Sequence, residues 1–310
     1  MTASVRSRED LVWWVALHSA QHVGPARFHR LIRKFGSPRA VLTSTPADAL
    51  LTIPGADPAL LDSIVFAGVR IDYTRELVDR LLARGIRIVP FDDPGFPAPL
   101  LKLKWPPGLV YMIGEFTAAD TRTVAIIGST HASATGFRTA YRSAGALAGR
   151  GCTIVSGNAR GIDSAAHLGA LEAGGRTIFV LPDGIVHFRP QVDIPAAKLE
   201  RQAVVISERP PEAPWEREGA LTRNRITAAL SERIFIIEAQ ADDGALHTFR
   251  IARRLGIPAM AAVFSGETPD GNKAAIREGA VAVKSIGELL HTLAAGGEHQ
   301  AEMQQSFDWE

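Results

Sequence analysis

Residues Val155 to His167 read VSGNARGIDSAAH, an apolar run that ends in a glycine loop and opens into a helix of small residues. An arginine stands between two glycines in that loop. Gly157 lets the backbone turn tightly after a strand, and Gly161 lets it approach whatever occupies the crevice. Asp163 has the chemistry of a helix N-cap. The amides that follow Gly161 would then be unpaired at a helix start, where the backbone favours an anion. The planar guanidinium of Arg160 adds a second phosphate-matching group. A phosphate or a nucleotide backbone is the natural guest of such a loop. The plainer alternative, in which Arg160 caps the carboxyl end of a neighbouring helix, needs no ligand. The earlier loop GSTHASATG lacks the G-x-G-x-x-G spacing of dinucleotide enzymes, so hydride chemistry is not expected.

Other reactive side chains carry less. His167 lies four residues after Asp163 on the same helix face, so an acid–base pair is conceivable, but no nucleophile accompanies it and a packing role is favoured. Glu238 closes an apolar run near Asp242 and Asp243, and could join a hydrolytic carboxylate group or hold a hard cation; solvated loop acids are the commoner case. Trp13 and Trp14 diverge by about a third of a turn on a helix, which suits packing better than stacking on bases. P-loop, zinc-ligand and serine-triad spacings are all absent, so neither a catalytic group, a metal nor a cofactor is expected.

These residues need elements to position them. The 310-residue chain is 46% hydrophobic and 22% charged, enough for a full core and more than one unit. With 34 Lys and Arg against 33 Asp and Glu, a nucleic-acid role would have to come from a local basic patch. The one cysteine, Cys152, sits in an apolar run and permits no internal disulfide, which fits a reducing cytoplasm. The N-terminal residues lack a cleavage pattern and no run reaches membrane-spanning length, so a cytoplasmic protein without membrane contact is expected.

Up to residue 85, short amphipathic helices dominate, and HVGPARFHRLIRKFG and IPGADPALLDSIV each place a glycine turn before a helix. Such paired units echo helix-hairpin-helix modules, whose turn amides grip phosphates, although glycine before a helix is also ordinary punctuation. Residues 86–120 form a proline-rich strap with two strand-like runs, packed on the core or extending it. From 121 to 294 apolar runs alternate with helices: TVAIIG, CTIVSG, TIFVLP, AVVIS, RIFIIEA, AMAAVF and AVAV. Runs apolar on both faces and separated by amphipathic helices predict an α/β doubly wound, Rossmann-like, mostly parallel sheet. The loops GSTHASATG, SGNARGID, LPDGI and EAQADDGAL should then share the carboxyl end of that sheet. Residues 295–310 form a polar tail.

The segments VAIIGS, GCTIVSGNARGIDSAAHLGALEAGGRTIFVLPDGI, ISERPP, TRNRITAALSERIFIIEA and DGNKAAIREGAVAV together resemble the bacterial DNA-processing protein A family, DprA or Smf. The helical residues before Arg87 and the DPGFPAPL strap also resemble that family's N-terminal region. An S-G-x-A-R-G-I-D loop followed at this distance by R-N-R-I is far more specific than either piece alone. The resemblance implies a nonenzymatic protein that binds and protects incoming single-stranded DNA, dimerises through its Rossmann-like core and loads a RecA-type recombinase during transformation or recombination. The apolar segments RIFIIEA and IPAMAAVFSG are candidates for the dimer-facing region.

Carried over position by position, the resemblance implies phosphate contacts at Gly128, Ser129 and Thr130 in the first loop. In the second it implies Ser156, Gly157, Ala159, Arg160, Gly161 and Asp163, and later Arg223, Asn224 and Arg225. The chain departs from the pattern in four places. Thr130 stands where the family carries an arginine after G-S, GALTRNR replaces the F-P-x-R-N-R lead-in, and QADDGALHT brings Asp242 and Asp243 to a turn that is otherwise serine- and glycine-rich. After GELLHTLAAGG only the polar EHQAEMQQSFDWE follows, in place of a winged helix. Two carboxylates near a phosphate path would repel it, so a diverged nucleotide-sensing or partner-binding regulator, of a toxin–antitoxin or phage-defence type, is the alternative. The related nucleoside-monophosphate phosphoribohydrolases resemble one another through P-G-G-x-G-T-x-x-E, which this sequence lacks.

Overall fold

The computed structural model describes residues 6–43, 47–241 and 243–294. They belong to two compact units. One comprises Met1–Phe116, Leu181–Phe188 and Val205–Ala220; the other comprises Thr117–Val180, Arg189–Val204 and Leu221–Glu310. The nine strands are ordered β1-β2-β6-β5-β4-β3-β7-β8-β9, a mostly parallel sheet.

The first unit opens with six helices, α1 (Arg8–Ser19), α2 (Pro25–Phe35), α3 (Pro38–Thr43), α4 (Ala47–Leu51), α5 (Pro58–Val69) and α6 (Ile71–Ala83). Local chemistry fixes their starts. Ser7 and Asp10 form a reciprocal capping box on α1, and Asp57 accepts from the Leu60 amide before α5. Trp14 is buried, with its ring 5.6 Å from Phe28 and 5.8 Å from Phe91, so this tryptophan packs as its helical position suggests. The strap contributes β1 (Arg87–Pro90) and β2 (Leu109–Ile113), paired antiparallel. β2 in turn pairs antiparallel with the Val205–Ser207 end of β6 (Ala203–Ser207). An apolar run reads the same in either direction, and these are the antiparallel exceptions in the sheet.

The second unit runs β3 (Thr123–Ile127), α7 (Ala134–Ala148), β4 (Thr153–Ser156), α8 (Ile162–Glu172), β5 (Thr177–Val180) and α9 (Ala196–Gln202), and enters β6. It resumes within α10 (Arg217–Ala229), then β7 (Arg233–Ile236), α11 (Gly244–Arg254), β8 (Ala259–Ala262), α12 (Asp270–Arg277) and β9 (Val281–Val283). β3 lies between β4 and β7, parallel to both; β5 follows β4, while β8 and β9 follow β7. Strand order therefore reverses between β3 and β7, the crevice where doubly wound sheets take their ligands. Ile126, Leu147, Ile154, Ile162, Phe235 and Met260 share one core beneath α7 and α8. From the runs RIFIIEA and IPAMAAVFSG, Phe235, Ile237, Met260 and Ala262 join this core, and Ile234, Ile236 and Ala261 are buried as well. β7 and β8 are inner strands of the sheet, while Pro258, Ser265 and Gly266 at the ends of the second run are exposed. Among the described residues no helix is long and apolar enough to cross a membrane.

Candidate nucleic-acid interface

Three loops of the second unit meet at the reversal point. After β3, Ser129 donates its amide to the Glu238 carbonyl at 2.6 Å, joining the first loop to the one after β7. The Ile162 amide donates to the Ser129 carbonyl at 3.2 Å, joining the first loop to the one after β4. Gly161 makes that approach with φ +73°, and an added Cβ would drive into the carbonyls of Ser129 and Thr130. Only glycine fits there. Gly128, Ser129, Thr130, Gly161 and Glu238 are thus brought together, as their positions after parallel strands predict. LPDGI follows β5, which is parallel to β4, and so leaves the same end of the strands.

The Gly157 loop is fixed from beneath. Gly161 is the N-cap of α8, and Asp163 is a buried residue inside the first turn, which corrects its assignment as the cap. Its Oδ1 lies 3.0 Å from the Ser156 hydroxyl, which is also 2.6 Å from the Ile126 carbonyl; its Oδ2 accepts from the Ala159 amide at 3.3 Å. Burial pushes the Asp163 carboxyl above the usual carboxylate range, against the opposing pull of the Arg223 guanidinium, Ser156 and the amides of Ala159 and Gly157. The Gly157 and Ala159 amides, ahead of the helix, are committed inward to this carboxyl, and of the amides that follow Gly161 that of Ile162 is taken by the Ser129 carbonyl.

Arg223 reaches the same place from α10. An added Cβ on Gly157 would meet both the Arg223 guanidinium and the Asp163 carboxylate, and Arg223 Nη1 donates to the Val180 carbonyl at 2.9 Å. Arg223 therefore braces the loop. Asn224 is buried and turns toward α11, donating to the Gly244 carbonyl at 3.3 Å, while Arg225 is half-buried. Within the R-N-R segment, Arg223 reaches the Gly157 loop while Asn224 turns toward α11.

Three further contacts tie the loop down. Asn158 donates to the Arg189 carbonyl at 3.0 Å and Ser164 to the Ala159 carbonyl at 2.8 Å. His167 Nε2 donates to the Gly157 carbonyl at 2.6 Å, its Nδ1 lies 2.7 Å from the Thr177 hydroxyl, and its ring stacks on Phe179 at 3.6 Å between centroids. Burial lowers its pKa to about 3, so the ring is neutral. The helix-packing reading of His167 holds, but the histidine does more: it hangs the loop on β5. Its spacing from Asp163 placed both on the loop-facing side of α8.

Arg160 is what remains outside. Its side chain is exposed and makes no hydrogen bond or ion pair with another described residue, so it does not cap a neighbouring helix. Thr130, across the Gly161 contact, is exposed as well. Glu238 is half-buried, and it belongs to no group that could hold a metal ion among the described residues. Its carboxylate seats on the start of α7, accepting from the Ser133 amide at 3.1 Å and the Ser133 hydroxyl at 2.8 Å. A carboxylate at that position complements the positive end of the helix. Asp243 precedes α11 and accepts from the Gln240 amide at 2.7 Å, which closes its own turn; Asp242 lies outside the described residues.

Comparison with known proteins agrees with this architecture. Residues 87–294 match the family described as DNA recombination-mediator protein A, and residues 8–50 match the DprA-like N-terminal HHH domain. The chain is 34% identical to protein Smf of Escherichia coli over 217 residues, covering 67% of this chain and 57% of that protein's length. It is 28% identical to the DNA processing protein DprA of Bacillus subtilis, covering 84% of this chain and 92% of that one. Among solved structures, DprA of Streptococcus pneumoniae superposes with a TM-score of 0.73 at 24% identity, over 93% of this chain and 98% of that one. DprA of Helicobacter pylori, solved to describe its single-stranded DNA binding mode, superposes with a TM-score of 0.60 at 26% identity, over 68% of this chain and 96% of that one. A helical N-terminal domain, a mostly parallel sheet whose order reverses at β3 and β7, and a family match over most of that sheet lead to one assignment: the chain belongs to the DNA recombination-mediator protein A family, DprA/Smf.

Proposed function

We propose that this protein binds single-stranded DNA, without catalysis, at the loops that follow β3 and β4. The observation that carries the reading is Arg160: an exposed guanidinium without a partner among the described residues, held on a loop whose base is locked by Asp163, Arg223 and His167. A fixed loop with one outward cation suits a phosphate contact, because the backbone need not be reordered on binding. The relative from Helicobacter pylori, whose structure describes a single-stranded DNA binding mode, supports the polymer over a mononucleotide. Protection of incoming strands, delivery to a RecA-type recombinase and homodimerisation through the core belong to the same proposal.

Fluorescence anisotropy with labelled single- and double-stranded oligonucleotides tests it. Tighter binding of the single strand, weakened for every sequence by Arg160→Ala, is the expected result; equal affinity for both forms, or none, rejects it. Light scattering across a concentration series should give a dimer mass, and recombinase filaments should nucleate faster on coated strands when the protein is added. A second reading, a nucleotide-sensing regulator, is favoured by Thr130, which leaves the first loop without a cation.

A further inference from the structure

The flank of the second unit holds two depressions of opposite character that share Thr135, Phe264 and Ser265. One, of about 510 Å³, is lined by Glu238, Glu267 and Asp270 and has no basic residue on its wall. The other, of about 340 Å³, is lined by Arg138, Arg142 and Lys284 and has no acidic residue on its wall. Arg138 and Arg142 stand one turn apart on the exposed side of α7, and Lys284 follows β9. None of the three forms an ion pair with a described residue; Arg138 makes a 3.4 Å contact with the Thr135 hydroxyl, and the nearby Glu288 carboxylate accepts from the Lys284 backbone amide at 2.7 Å.

Three unneutralised cations around one groove make a local positive field that the near-neutral whole chain conceals. The half-buried ring of Phe264 lies on its wall. Two guanidinium forks, an ammonium and an aromatic ring are the combination that follows a single-stranded backbone, with phosphates on the cations and a base on the ring. The helix that carries the two arginines begins at Ser133, where Glu238 ties α7 to the loops of the proposed strand site. Arg138 and Arg142 therefore stand about 7 and 13 Å along α7 from that end.

We propose that the Arg138–Arg142–Lys284 groove is a second phosphodiester-binding subsite, which takes the strand onward from the Arg160 loop along α7. This rests on the reading of the protein as a single-strand binder. The acidic depression on the other side of Phe264, lined by Ser133, Thr135 and Glu238 at the start of α7, repels phosphate, so the strand skirts it between the two basic sites. A groove with these cations also suits an acidic polypeptide; the ring and the continuity with the Arg160 loop favour the nucleic acid.

The test compares Arg138→Ala/Arg142→Ala with Arg160→Ala, using oligothymidylates of graded length and salt titrations, with circular dichroism to show that each variant is folded. The Arg160 variant should bind short and long strands more weakly. The double variant should match wild type on short strands and lose affinity on long ones, with a log–log salt slope shallower by about 1.4 for two lost phosphates. Lys284→Ala should shift the long-strand slope in the same direction by about half as much. If the double variant keeps wild-type affinity and slope on long strands while Arg160→Ala is impaired, the second subsite is rejected and the single-strand reading stands. Wild type that binds no strand of any length rejects both. A folded double variant that loses affinity for polyglutamate but not for DNA assigns the groove to an acidic protein partner and rejects the subsite.

Discussion

His167 Nε2 hydrogen-bonds the carbonyl of Gly157 at 2.6 Å from a fully buried position, which couples the acid–base state of one ring to the shape of the loop it supports. Its folded pKa, about 3, lies below its unfolded value of about 6.5, so the unfolded chain takes up a proton first as pH falls. The stabilisation is complete above about pH 6.5 and is lost between there and about pH 3, by up to about 1.4 kcal/mol per pH unit. His18, lowered to about 4 by burial, adds a loss of the same sign in the first unit. Asp163, pushed up by burial, works in the opposite direction and offsets part of the fall. Urea titrations from pH 7 to pH 4 should show declining stability, and His167→Gln should flatten the decline while lowering the neutral-pH value; an unchanged slope would show that folding does not lower the pKa of the ring.

Thr130→Arg should strengthen binding. Thr130 is exposed and its carbonyl touches Gly161, so an arginine there would extend beside Arg160. A new charge-assisted phosphate contact adds on the order of 1–3 kcal/mol and steepens the salt slope by roughly 0.7. Unchanged affinity in a folded variant would remove the strand from this crevice.

Gly161→Ala should separate the first and second loops. At φ +73° a side chain is strained, and its Cβ would press on two backbone carbonyls that have no way to rotate aside. A loss of about 1–3 kcal/mol in stability, with weakened single-strand binding, is expected from denaturant titration and anisotropy.

Glu238→Gln should keep the hydrogen bonds to Ser133 in part and remove the charge. The expected loss is about 0.5–2 kcal/mol of stability, larger for Glu238→Ala, with no change on adding or chelating divalent cations. Thermal melts with and without a chelator distinguish this capping role from a metal ligand, whose loss would make the wild type chelator-sensitive.

The parallel strands and their order were legible because runs apolar on both faces, separated by amphipathic helices, have few other ways to fold. Ser156 to Asp163 was legible as a loop at the sheet's carboxyl end for the same reason. The role of Asp163 was not. An aspartate just after a glycine reads as a cap, whereas the positive φ of Gly161 moves the cap back and turns the carboxylate inward. Arg223 is distant in sequence from Gly157, and nothing local in LTRNRI says that it braces a loop after another strand. Glu238 reads as a loop acid until the start of α7 is brought to it. Arg138 and Arg142 look, on a helix, like any solvated face; their character appears only when Lys284 arrives from beyond β9.

At the proposed strand site, the inward commitment of the Gly157 and Ala159 amides would also govern how a strand travels. Fixed amides hold one oxyanion in one orientation and release it as a unit. Here those donors face Asp163, and a long, rotatable arginine is left at the surface. Such a contact can stay with a phosphate as it shifts and pass to the next before the first is lost. A surface of this kind favours one-dimensional diffusion of the polymer through the site over a single registered pose.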